Sequence, residues 1–178
     1  MTVPIHTTRE LSGPPDARIL GRGTAAILLP FTQSWGAARV ALPDPIPWGQ
    51  APSVDRATLT RGEFELSTAA DVRSLRYRVF EMVDEHGTPG GAPAFEASCG
   101  AGEPVRCDRR VRGSSQVITM RARGTLPDRG FVTVSARWVV WARSDGTLRG
   151  DRPKRDEQAE VRDVDQAWLL RLGDPPMP

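Results

Sequence analysis

The sequence predicts a mainly β fold with a strand-bearing N-terminal arm and a C-terminal helix. Three observations lead there. Residues 131–143 (FVTVSARWVVWAR) place Val132, Val134, Ala136, Trp138, Val140 and Ala142 on one face at period two, the spacing of a strand. Residues 115–123 (SQVITMRAR) repeat the alternation with Ile118, Met120 and Ala122. From residue 156 onward the period changes. Ala159 or Val161, then Val164, Trp168 and Leu172 recur at helical spacing with charges between them.

In chain order, residues 1–23 are rich in Pro, Gly, Thr and Arg and lack apolar periodicity, which reads as an extended arm. AAILLP at 25–30 is a short apolar run bounded by Gly23-Thr24 and Pro30, as in a buried strand, and 35–42 offers a second strand. Residues 43–52 hold Pro43, Pro45, Pro47, Pro52 and Gly49. Proline fixes φ and lacks an N–H, so this stretch is neither helix nor central strand but a stiff connector carrying Trp48. Strand character begins after Asp55 with Ala57-Thr-Leu-Thr, then Glu63-Phe-Glu-Leu, where Phe64 and Leu66 share a face. Residues 67–87 admit two readings. As a helix, Thr68 and Asp71 open it, Val72, Leu75, Val79 and Met82 line one face, and Gly87 with Pro89 ends it. As a strand, Leu75, Tyr77, Val79 and Val83 alternate with Arg76, Arg78, Phe80 and Met82. The stretch 85–114 is longer than one hairpin needs and fits two short strands, 94–99 and 107–111, hinged at a cysteine loop. Ser144-Asp145-Gly146-Thr147 is a tight turn in which glycine takes the left-handed conformation. Residues 151–157 (DRPKRDE) form a charged linker, Gly173 closes the expected helix, and DPPMP is a tail. The chain thus divides into an arm at 1–52, a β domain at 53–150, and a linker, helix and tail at 151–178.

With 178 residues, 39% hydrophobic and 26% charged, the chain is no disordered polyelectrolyte, collagen-like chain or coiled coil. No apolar run approaches the ~18 residues of a membrane-spanning helix, and no membrane partner is expected. The 24 basic and 22 acidic residues leave a formal charge of +2. All but one of the basic residues are arginine, the exception being Lys154, and asparagine is absent. A GC-rich genome explains that bias without invoking anion binding. Arg106, Arg109, Arg110 and Arg112 are interrupted by Asp108 and read as a solvated edge strand, so no nucleic-acid partner is expected. Arg9, Glu10, Pro14-Pro15, Asp16, Arg18 and Arg22 break the first thirty residues, which therefore carry no export signal as written.

Cys99 and Cys107 enclose a polar loop with two glycines and a proline, geometry suited to a disulfide. Closing a loop of about 9 residues is worth about 2.6 kcal/mol in the chain-entropy model. Such a bond favours an exported or particle-bound protein over a cytoplasmic one. His6 and His86 are the only histidines, too few for a zinc set, so no metal and no cofactor are expected. The sequence contains no Gly-x-Ser-x-Gly elbow, phosphate-binding glycine loop or His-Glu-x-x-His, and no catalytic residue is assigned. His86 beside Gly87 reads as a turn histidine, and Asp84/Glu85 and Asp163/Asp165 as solvated acids. The aromatic residues are the stronger clue. Trp141 and Val139 lie opposite Trp138 on their strand, next to Arg137. They form an interface if that face is open, and core if the N-terminal strand or the C-terminal helix covers it. Trp35 and Trp48 invite the same two readings.

The succession GEFELS, DVRSLRYRVFE, QVITMRARG, FVTVSARWVVWA resembles the immunoglobulin-like or fibronectin type III-like sandwiches of bacterial surface and secreted proteins. Tyr77, then Ile118, Met120 and Ala122, then Val132 and Val134 occupy the corresponding strand positions. The resemblance covers roughly residues 55–143 and implies an immunoglobulin-like sandwich, not an activity. Residues 75–87 (LRYRVFEMVDEHG) also resemble the first helix of GNAT-type acyltransferases, and Arg121-Ala-Arg-Gly124 partly matches their acyl-CoA loop. That loop must open a helix, whereas here a strand follows. The expected function is a non-catalytic binding, adaptor or assembly module whose partner is another protein, within an exported surface or toxin complex. The alternatives are a structural protein of a phage or phage-like particle and, further off, a small acyltransferase.

Overall fold

The computed structural model describes residues 14–35, 38–68, 70, 72–100, 107–121, 123–149, 155 and 158–178. Expectations that fall on residues 1–13, Asp71, Arg106, Ala122, 151–154 and 156–157 lie outside the described residues. In chain order the elements are β1 (Ala17–Leu20), β2 (Ala25–Ile27), β3 (Leu29–Trp35), β4 (Ala38–Val40), a 3-10 turn at Trp48–Gln50, β5 (Ser53–Val54), α1 (Arg56–Arg61), β6 (Glu63–Leu66), β7 (Val72–Phe80), β8 (Phe95–Gly100), β9 (Cys107–Arg112), β10 (Ser115–Met120), β11 (Gly130–Arg143), β12 (Leu148–Arg149) and β13 (Ala159–Leu172).

The strands form a sandwich of two sheets. One has the order β2-β1-β6-β10-β9, and the other β4-β3-β13-β11-β7-β8 with β12 on β11 and β5 on β13. All pairs are antiparallel except β5 with β13. The chain passes from one sheet to the other within a single residue, Leu28, which is buried and donates its N–H to the Ala17 carbonyl at 2.9 Å. Residues before 53 therefore supply strands to both sheets.

Period-two burial builds the interior. Ile19, Phe64, Leu66, Ile118 and Met120 from one sheet face Leu75, Tyr77, Val132, Val134, Trp138, Trp168 and Leu170 from the other. Trp138 meets Trp35 and Trp168 edge-on, at centroid distances of 5.8 and 6.1 Å, and Tyr77 stacks on Phe95 at 5.7 Å. Each fully buried large side chain contributes roughly 1.5–3 kcal/mol.

The expected C-terminal helix is a strand. Residues 159–172 pair with β11 along its whole length, from Gly130↔Leu172 to Arg143↔Ala159. Val164, Trp168 and Leu172 share a face in either element, because four residues separate face-mates in a strand and nearly so in a helix. Gln166 and Leu170 decide the matter. They fill the intervening period-two positions and are buried with the other three. Residues 57–60, expected as strand, lie instead in α1. The Asp55 carboxylate caps it by accepting the Thr58 N–H at 2.7 Å, and Gly62 ends it in the left-handed conformation. A Cβ at Gly62 would lie 2.3 Å from the Met120 carbonyl oxygen, so only glycine fits. Within 67–87 the strand reading holds as β7, and the stretch 75–87 that resembles an acyltransferase helix is this strand as far as Phe80 and then a turn. Two short strands do flank the cysteines, but they belong to different sheets.

The proline-rich connector lies against the outer face of the larger sheet. Ile46, Trp48 and Ala51 pack there with Phe131 and Leu169, and Trp48 meets Phe131 at 5.0 Å. Trp48 Nε1 donates to the Gly87 carbonyl at 2.6 Å, and the Ile46 N–H donates to the His86 carbonyl at 2.9 Å. These bonds clamp the connector to the turn after β7.

Candidate interaction surface

The β11–β13 hairpin divides into two halves with different neighbours. The lower half, residues 130–138 with 164–172, is flanked by β7 on one side and by β3 and β5 on the other. The connector covers its outer face around Phe131 and Leu169. In the upper half the pairs are Val139↔Asp163, Val140↔Arg162, Trp141↔Val161, Ala142↔Glu160 and Arg143↔Ala159. Pairing with β7 stops at Trp138 and pairing with β3 stops at Asp165. Beyond those points, among the described residues, only β12 flanks the ribbon, opposite Trp141 and Ala142. Among the described residues no strand pairs with the other edge of Ala159 to Val164.

The two faces of this ribbon differ. On the inner face Val140, Ala142 and Leu148 are buried. On the outer face Val139 and Trp141 are half-buried, and Val161, directly across from Trp141, is 52% exposed. Charges frame this stripe. Arg137 is exposed beneath it, Asp163 lies opposite Val139 and approaches Arg73 at 3.6 Å, and Arg162 meets Glu160 at 3.1 Å on the inner side. Below the stripe runs an open trough of about 540 Å³ across the strands, lined by Thr32, Ser74, Ser135, Arg76, Arg137 and Asp165.

Of the five residues expected at an interface, Trp141, Val139 and Arg137 come together here. Trp35 and Trp48 do not. Trp35 is buried against Trp138, and Trp48, on the connector, is buried against Phe131, so both are core side chains. Val161 is the exposed neighbour of Trp141 that sequence reasoning missed. Its place opposite Trp141 exists only if 159–172 is a strand, and Gln166 with Leu170 carried that signal.

The expected disulfide is present. Cys99 on β8 and Cys107 on β9 are bonded, joining the edge strand of one sheet to that of the other. Arg109 Nη2 donates to the Val72 carbonyl at 2.5 Å and closes the same side of the sandwich. His86 pairs with Asp44, Nδ1 to Oδ1 3.1 Å, at a pocket of about 380 Å³ lined by Phe31, Leu42, Ile46, Trp48, Thr88 and Thr133. Neither serine nor cysteine lines it. Burial pushes the Tyr77 phenol far above its ordinary range, so it stays neutral. The Thr147 N–H, followed by its hydroxyl, holds the Asp145 carboxyl below the usual range and fixes the turn between β11 and β12. Among the described residues no group of His, Cys, Asp and Glu is placed to hold a metal ion, and no helix is long and apolar enough to cross a membrane.

No family model matches the chain, and searches of curated proteins and of solved structures find no match.

Proposed function

We propose that the protein is a non-catalytic binding or assembly module that acts through contact with another protein, on an immunoglobulin-like sandwich of the bacterial surface and secreted type. The observation that carries this reading is the upper half of the β11–β13 ribbon. It presents Val139, Trp141 and Val161 as one apolar stripe with charges around it, the composition of an interface core and rim. Among the described residues Val161, at the centre of this stripe, leaves 52% of its surface in water, an exposure with no packing purpose of its own. The setting proposed is an exported surface or toxin complex, because a disulfide between the two sheets persists in an oxidising compartment.

Immobilised protein tests the reading. Wild type, Val161→Arg and Ile27→Arg are exposed to an extract of the source cells, and retained proteins are identified by mass spectrometry. Ile27 is 61% exposed on the other sheet and serves as the control. A partner held by wild type and Ile27→Arg but lost by Val161→Arg is the expected result. Retention of the same proteins by all three contradicts it.

A further inference from the structure

The open edge of the upper ribbon carries a pattern of its own. Residues 159–164 read Ala-Glu-Val-Arg-Asp-Val, and Glu160, Val161, Arg162 and Asp163 are all exposed. Among the described residues one side of this stretch pairs with β11 and the other with nothing. An unpaired strand edge is a template for another strand, and proteins that must avoid pairing blunt it with charged side chains, proline or a bulge. Here the charges alternate in sign and residues 159–164 contain no proline.

We propose that this edge pairs with the same edge of a second copy of the chain, antiparallel and about a two-fold axis through Val161. The register follows from the charges. A two-fold that keeps the Trp141 faces of both copies together pairs odd residues with odd and even with even. Centring it on Glu160 sets that carboxylate against itself, and centring it on Arg162 sets two guanidiniums together. Centring it on Val161 places Glu160 opposite Arg162 twice and Val161 against Val161. The outer face then carries one stripe, from Trp141 through both valines to the other Trp141. On the inner face the exposed Glu160–Arg162 pair of each chain joins that of its mate. Unlike charges opposite one another on adjacent strands stabilise the ladder, and like charges destabilise it. The free stretch accommodates this overlap, since β3 begins to pair only at Asp165. Joining the edges turns two open sheets into one continuous sheet with an isologous contact.

This inference rests on the reading of the ribbon as a contact surface, and mixing charge variants of the full chain separates the two. Molar mass is measured by sedimentation equilibrium. Wild type is expected at twice the 19.5 kDa of one chain. Glu160→Arg alone and Arg162→Glu alone each create like-charge pairs and should weaken association by at least about tenfold. An equimolar mixture of the two variants restores unlike pairs and returns to the dimer mass, as does the double swap in one chain. Restoration also shows that the single variants are folded. A wild type that is monomeric at high concentration, or single variants that stay dimeric, overturns self-pairing. In that case a partner still lost by Val161→Arg leaves the contact reading standing.

Discussion

The lower and upper halves of the β11–β13 hairpin are one continuous ladder in two different surroundings. In the lower half the large apolar side chains are all covered. Trp138, Trp168 and Leu170 face the sandwich interior, while Phe131 and Leu169 face the connector. In the upper half the inner face is still buried, but the outer face presents Trp141 and Val161 and one backbone edge is unpaired among the described residues. The same β-branched and aromatic chemistry is thus buried where neighbours cover it and meets water where they stop. Flanking strands, not the hairpin's own sequence, draw the line.

Substitutions in the two halves should therefore separate stability from association. The largest effect belongs to Trp138→Ala, which empties the space between Trp35 and Trp168. Urea unfolding should show a loss of about 3–5 kcal/mol. A small loss there would erase the distinction between the halves. Next comes the joint replacement of Cys99 and Cys107 by alanine. It should lower stability by about 2–4 kcal/mol, since it frees the edges of both sheets, yet leave association through the ribbon unchanged.

Gly87→Ala probes the cover of the lower half. Gly87 has a φ of +79°, and a Cβ there would lie 3.0 Å from Trp48 Cδ1. A loss on the order of 1–2 kcal/mol is expected in the same assay. The smallest effect is electrostatic. The Thr58 N–H, followed by the Thr58 hydroxyl, lowers the Asp55 pKa in the folded chain. A carboxyl depressed on folding contributes stability above its ordinary pKa, and that contribution fades as pH falls through the lower, folded value. Urea midpoints recorded from pH ~5 downward should fall more steeply for wild type than for Asp55→Asn, which caps without titrating. Identical slopes would remove Asp55 from the account.

How much of this was legible in the sequence differs between the halves in the same way. The all-apolar face of 131–143 announced a strand, and the cysteines announced their bond, because period and loop length are local properties. The opposite face of that strand was open to two readings, covered or exposed. Each is true of one half, because cover depends on where the connector lands and where β7 and β3 end. The C-terminal strand was hidden by an arithmetic coincidence, since Val164, Trp168 and Leu172 satisfy both periods. Trp35 and Trp48 looked available beside a proline-rich stretch. Tertiary packing buried both, one under Trp138 and the other against Phe131. The exposed place of Val161 opposite Trp141 could be seen only once β13 stood in register with β11.

One substitution tests the division most directly. Trp141→Ala removes the largest side chain from the outer face of the upper half. Its unfolding midpoint and its association should be measured on one preparation. The account predicts a midpoint close to wild type, with a shift below about 1 kcal/mol, and a clear loss of self-association or partner binding. A midpoint that falls as far as that of Trp138→Ala, with association intact, would show Trp141 to be core and would contradict the account.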